Sequence, residues 1–229
     1  MTEADWLACN DPKAMLAALQ GNVSQRKLRL FGLACCRRMW HLLPNGRWGV
    51  LVEVGERFVD GAASRTELNT AWWRVPTAFV DEGQHYLAVV SDKIGCVDYT
   101  PQKAQEVANA AAKEVARAAD GAADAEAPRC PPRDAEYAAQ AHLLRDIFNP
   151  FRPTTLTPIW QTPQVVALAQ AGYDLRELPS GTLDGARLAV LADALEEAGC
   201  EQADILDHLR GPGPHVRGCW VVDLLLGKE

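Results

Sequence analysis

The 229-residue sequence lacks several features that would assign it to a familiar class of protein. No apolar run approaches the eighteen residues or so needed to cross a bilayer, and the N-terminal residues lack the basic and apolar regions of a secretory signal. The seven cysteines have no regular spacing, and no cofactor-binding motif is recognisable. These absences predict a cytoplasmic protein with reduced cysteines, no membrane segment and no cofactor.

Acidic residues are missing from positions 12–52, where Lys and Arg contribute seven positive charges. Because the whole chain carries −7, the remainder sums to −14. The two parts could neutralise each other within the fold, or the basic part could bind nucleic acid or an acidic partner. The candidate anion or partner contacts are Arg26, Lys27, Arg37, Arg38 and Arg217. An overall pI near 5.3 argues against a dedicated DNA-binding domain.

Apolar residues alternating with period two are also absent, so the chain is predicted to be all-α, an irregular multi-helix bundle of about eight to ten helices. Helix start signals recur along the chain, at Thr2, Asp11-Pro12, Ser24, Ser64, Thr100-Pro101 and Thr162-Pro163. Apolar spacing in residues 24–43 predicts one buried helix face, consisting of Leu28, Phe31, Cys35, Met39 and Leu42. A helix is also expected over 77–91, and the Ala-rich residues 101–127 are predicted to form a helical arm in the middle of the chain.

Three prolines, at positions 150, 153 and 158, predict an extended connection over residues 149–161. It would separate an N-terminal helical lobe, 1–148, from a C-terminal helical lobe, 162–229. We expect the two lobes to pack as one structural domain.

The C-terminal residues RGPGPHVRGCWVVDLLLGKE carry the most unusual chemistry. A final helix is predicted to begin at Pro214. His215, Cys219 and Asp223 follow at intervals of four and would lie along one side of it. A lone buried carboxylate is costly, so Asp223 is expected to pair with an arginine such as Arg217.

A zinc site is one interpretation of this stripe. His215 and Cys219 have usable spacing, and Cys200 and His208 could complete a set of four ligands if the last two helices formed a hairpin. The preferred interpretation is structural: the two cysteines fill the core and His215 hydrogen-bonds a loop. Cysteine catalysis is disfavoured, because three residues stacked on one helix cannot orient a base against a nucleophile.

Four blocks of the sequence carry a resemblance to a known family. They are DWLACNDPKAMLAAL, SQRKLRLFGLACCRRMWHLL, HLLRDIFNPFRP and LADALEEAGCEQADILDHLRGPGPHVRGCWVVDLLLGKE. Together they resemble a family of paralogous helical proteins expanded in planctomycete bacteria. The resemblance implies a shared helical architecture with an Ala-rich middle of variable length, and it implies no particular chemistry.

Three functional classes follow from these observations. The first is a non-enzymatic helical module that binds a protein partner, which needs nothing that the sequence fails to show. The second is a metal-binding protein or enzyme that uses the C-terminal His/Cys/Asp stripe. The third is a nucleic-acid binder that uses the basic N-terminal lobe.

Overall fold

The computed structural model describes residues 1–19, 23–42, 45–75, 100–121, 133–151 and 155–228, without the side chains of 45 and 114–121. The helix predicted over 77–91 and the end of the Ala-rich segment lie outside these residues. So does Pro153 of the predicted connection.

Eleven α-helices account for most of the described residues, so the all-α fold class is confirmed. In chain order they are α1 (Glu3–Ala8), α2 (Pro12–Ala18), α3 (Gln25–Arg38), α4 (Asn45–Val59), α5 (Arg65–Trp73), α6 (Pro101–Gly121), α7 (Arg133–Ile147), α8 (Pro163–Asp174), α9 (Gly185–Glu197), α10 (Ala203–Arg210) and α11 (Trp220–Leu226). Short 3-10 turns occupy Trp40–Leu42 and Pro158–Trp160. One two-stranded antiparallel sheet, absent from the sequence prediction, pairs β1 (Arg176–Glu177) with β2 (Thr182–Leu183).

Most helices begin where side-chain chemistry predicts. Thr2 and Ser64 each begin a complete capping box. In both, the hydroxyl of the N-cap residue accepts a hydrogen bond from the backbone N–H of the third helical residue, and the side chain of that third residue accepts one from the backbone N–H of the N-cap. Asp11, Ser24 and Thr162 also accept a hydrogen bond from the first turn of their helices. Local sequence therefore fixes these boundaries.

The chain divides into two compact units, Met1–Ala141 and His142–Glu229. This division falls within α7, whereas the sequence prediction placed a boundary at the Pro-rich residues 149–161. The arrangement of the two lobes as one structural domain stays a prediction.

Unit 1 is organised around α3, which packs against α4 and α6. Four of the five residues of its predicted apolar face, Leu28, Phe31, Cys35 and Met39, are buried, whereas Leu42 lies beyond the helix in the 3-10 turn and is half-buried. The Ala-rich helix α6 is present as predicted. The part whose side chains are described packs against α2 and α3 through buried residues that include Ala104, Val107 and Ala111, so this part is not a protruding arm.

Unit 2 has its own apolar core, to which α8, α9, α10 and α11 all contribute. Helix α8 packs against both α9 and α11, and α10 packs against α9. The prediction that a final helix begins at Pro214 is wrong, because α11 begins at Trp220 with Cys219 as its N-cap. Trp220, Val221, Val222 and Leu225 are buried, as expected of a helix at the centre of a core. Among the described residues, none of the helices combines the length and the apolar character that a bilayer span requires.

Candidate metal centre

Four side chains with metal-binding atoms meet in unit 2. Asp146 lies at the end of α7, His208 in the last turn of α10, His215 in the loop 211–219, and Cys219 at the N-cap of α11. One ligand atom from each lies within 4.8 Å of the other three. We call these four residues the Asp146 cluster.

The loop between α10 and α11 determines where His215 lies. Helix α10 ends with Gly211 as its C-cap, and Pro212 and Pro214 follow, each without a backbone N–H to continue a helix. The loop is then tied to the hairpin, because the N–H of Leu183 donates to the carbonyl of His215 at 2.8 Å. His215 therefore reaches the cluster from a loop, and the predicted stripe on one helix does not exist.

Asp146 is the hydrogen-bonding centre of the cluster. Its Oδ1 lies 2.7 Å from Nδ1 of His215 and 3.1 Å from Nε2 of His208, and its Oδ2 accepts from the N–H of Val216 at 2.8 Å. The residue is only 4% exposed. Three partners from two segments, the helix α10 and the loop 211–219, thus hold one buried carboxylate.

Burial by itself would raise the pKa of Asp146, but hydrogen bonds from His208 and His215 outweigh it and hold the pKa below its ordinary value. The reverse balance applies to His215. Burial would lower its pKa, but the hydrogen bond and charge of Asp146 raise it above the ordinary value. Between their ordinary pKa values of 3.8 and 6.5 the two residues therefore form a buried imidazolium–carboxylate pair.

Cys219 completes the cluster with a sulfur atom that has no solvent exposure. Its Sγ lies 3.2 Å from Nε2 of His208. Burial, assisted by the charge of Asp146, raises the pKa of this thiol well above its ordinary value. The metal-free thiol is therefore protonated and shielded, which argues against a nucleophilic role.

The donor atoms fit a tetrahedral zinc-type ion. Two imidazole nitrogens, one thiolate and one carboxylate oxygen are all ordinary ligands of Zn²⁺, with bonds of ~2.0–2.3 Å that place neighbouring donors roughly 3.3–3.6 Å apart. The hydrogen-bonded donors of the cluster are 2.7–3.2 Å apart. All four donor atoms lie within 4.8 Å of one another, so ion binding would spread the hydrogen-bonded pairs slightly and draw the more distant pairs together.

A surface cavity of about 240 Å³ gives access to the cluster. Asp146, His208 and His215 line it, together with residues that include His142, Arg145 and Asp207. Because Cys219 is not part of this lining, an ion would enter on the imidazole and carboxylate side.

Sequence analysis named three of these four residues. Cys200, the fourth candidate of the alternative zinc interpretation, lies outside the cluster and is a buried core residue after α9, as the preferred interpretation predicted. Asp146 was missed, although its carboxylate stands near the apolar residues of LLRDIF, a weaker form of the signal that drew attention to Asp223. Asp223 itself is buried in the first turn of α11 and outside the cluster, and its pairing with an arginine stays a prediction.

Four of the five predicted anion contacts lie in unit 1, and Arg217 lies in the loop 211–219. Arg26 pairs with Asp60 at 3.0 Å, Arg37 with Glu56 at 2.7 Å, and Arg38 with Glu136 at 2.9 Å. Lys27 lies partly buried in the first turn of α3, and the guanidinium of Arg217 lies 5.0 Å above the ring of Tyr173 in unit 2. In each of these three ion pairs a basic residue of positions 12–52 pairs with an acidic residue from outside that range. They are what we expect if the basic and acidic parts of the chain neutralise each other within the fold.

No protein-family model matches the chain, and no curated protein or solved structure is significantly similar to it.

Proposed function

We propose that the protein binds one divalent ion of the zinc class through Asp146, His208, His215 and Cys219. The observation that supports this is the convergence of four donor atoms, from three separate parts of unit 2, within 4.8 Å. A thiolate and two imidazoles favour Zn²⁺ and similar ions over Mg²⁺ or Ca²⁺, which prefer oxygen ligands.

The surroundings of the ligands support the same proposal. Ligating groups are usually held by a second layer of hydrogen bonds, and that layer exists for two of the four residues. Oδ2 of Asp146 accepts from the backbone of Val216, which leaves Oδ1 directed at the cluster. Nε2 of His215 lies 3.5 Å from the carbonyl of Gly211, which leaves Nδ1 directed at the cluster.

Such an ion would have a structural or sensing role. All four tetrahedral positions would be protein atoms, as in structural zinc sites, whereas catalytic sites keep one position for water or substrate. The ion would join the end of α7, the end of α10 and the loop 211–219. Metal occupancy would therefore control the order of this loop.

The test is metal analysis of the protein purified without added chelator and then dialysed. We expect one equivalent of zinc per chain, lost in Cys219→Ala and His215→Ala. Cys200→Ala and His142→Ala are the matched controls, because each removes the same side chain from unit 2 outside the cluster. Cobalt substitution adds a spectroscopic readout, since a thiolate ligand produces a charge-transfer band that Cys219→Ala would abolish.

The proposal fails if the wild-type protein neither retains zinc nor binds it when titrated. It also fails if Cys200→Ala loses as much metal as Cys219→Ala. The interaction module and the nucleic-acid binder remain predictions from the sequence.

A further inference from the structure

His208 presents its two ring nitrogens to different groups. Nε2 faces the cluster, 3.1 Å from Oδ1 of Asp146 and 3.2 Å from Sγ of Cys219. Nδ1 accepts a hydrogen bond from the indole N–H of Trp220 at 3.2 Å. An indole nitrogen is a donor and never an acceptor, so Nδ1 carries no proton in this arrangement. The proton of the neutral ring therefore lies on Nε2, the atom that faces the metal position.

A metal-ligating histidine needs the opposite proton distribution. The ligating nitrogen offers its lone pair, and the other nitrogen donates its N–H to a carboxylate, a carbonyl or water. His215 meets this requirement, because its outer nitrogen faces the carbonyl of Gly211. His208 does not, because its outer nitrogen faces the donor of Trp220.

We infer that Trp220 limits the metal affinity of the cluster by holding His208 in the tautomer that has its proton on Nε2. This inference rests on the proposed metal binding. When Nε2 ligates the ion, its proton is transferred through solvent to Nδ1, and the ring has one proton before and after. Two N–H groups would then face each other, so the Trp220 indole must give up its hydrogen bond.

Trp220 would thus influence the metal affinity of the cluster without contacting the ion, and it would lower that affinity where an outer hydrogen-bond partner ordinarily raises it. Removing the outer hydrogen-bond partner of a ligand ordinarily weakens metal binding by about 10–100-fold. Removing Trp220 should strengthen it, because the metal-free state loses a stabilising contact that the metal-bound state lacks. The net worth of one hydrogen bond corresponds to about a three- to tenfold change in an equilibrium constant.

The experiment compares the zinc dissociation constants of the wild-type protein, Trp220→Phe and Trp160→Phe by competition with a chromophoric chelator. Phenylalanine keeps an aromatic ring in the core but removes the donor. Trp160 is the matched control, since its buried indole belongs to the same apolar core but not to the cluster. We expect Trp220→Phe to bind zinc three- to tenfold more tightly, and Trp160→Phe to bind like the wild type.

A second measurement needs no variant. In the wild-type protein the indole N–H resonance of Trp220 should move to higher field on zinc saturation, as it does when a hydrogen bond is lost. If zinc binds but this resonance stays in place, or if Trp220→Phe binds equally or more weakly, the inference is overturned and the metal site stands. If neither the wild type nor the variants bind zinc, the proposed function fails and the inference with it.

Discussion

Asp146→Asn is the most informative single substitution in unit 2. The amide has the shape of the carboxylate but only one acceptor oxygen, so it cannot accept from His208, His215 and Val216 together. At least one buried N–H would face the amide nitrogen, which costs about 1–3 kcal/mol. The charge opposite the His215 imidazolium is lost as well, and removing one partner of a buried ion pair costs about 3–5 kcal/mol in total.

The cost should depend on pH in a direction that the two pKa shifts determine. The pKa of Asp146 is lowered in the folded protein, so its contribution to stability is present above its ordinary value of 3.8 and lost as the pH falls through the folded value. The pKa of His215 is raised, so its contribution is fully present below 6.5 and lost as the pH rises through the folded value. The pair therefore stabilises the metal-free fold most between about pH 4 and 6.5.

Urea unfolding, followed by circular dichroism with a chelator present, measures this directly. We expect Asp146→Asn to lower the free energy of unfolding by about 3–5 kcal/mol near pH 5.5 and by about 1–3 kcal/mol near pH 8.5. Asp207→Asn is the control, because that carboxylate lines the same cavity but is exposed. Equal losses at both pH values would refute the ion pair, and a loss as large in the control would refute the role of burial.

Three further predictions test other parts of the structure. Gly213→Ala should destabilise the protein in thermal melts by about 1–3 kcal/mol more than Gly199→Ala does. Both glycines have positive φ, but a Cβ at position 213 would lie 2.9 Å from a backbone nitrogen, whereas a Cβ at position 199 would meet open space. Glu56→Gln should lower the free energy of unfolding in urea by about 3–5 kcal/mol because it breaks a buried pair, whereas Glu67→Gln, in a solvent-exposed pair, should cost much less. Deleting residues 214–229 should abolish folding of unit 2, and a truncated protein that keeps its helical spectrum and a cooperative melt would contradict this.

Helix positions could be predicted from the sequence because the signals that set them are local. The capping boxes at Thr2 and Ser64 and the Thr162-Pro163 start each depend on residues within one turn, and each marks a helix in the structure. Periodic apolar residues likewise identified core residues of α3, although all of residues 28–37 are buried and not one face alone. Such patterns need no knowledge of distant contacts.

The start of the last helix was mispredicted because a distant contact decides it. Pro214 is an acceptable first helical residue, so local rules place the helix there. In the structure Val216 forms a bridge with Thr182, and the carbonyl of His215 accepts from Leu183. Those bonds hold the loop to the hairpin as far as Val216, and a turn closed by the N–H of Cys219 donating to the carbonyl of Val216 follows before the helix begins. The strands of the hairpin are two residues each, too short for an alternating pattern to reveal them.

The loss of the one-helix stripe changes the chemical argument about the cluster. Constellations that act chemically are assembled from separate elements, because neighbours on one helix point in parallel and cannot surround an atom. The four residues of the cluster come from different elements: a loop for His215, a helix N-cap for Cys219 and the last turn of a helix for His208. The fourth, Asp146, lies 69 residues before His215 in the sequence. The chain therefore does not stack His215 and Cys219 on one helix, contrary to the prediction from the sequence. What remains unusual is the hydrogen bond from Trp220 to His208, which disfavours the ligating form of His208 and would make occupancy of the proposed metal site adjustable at a residue outside the four ligands.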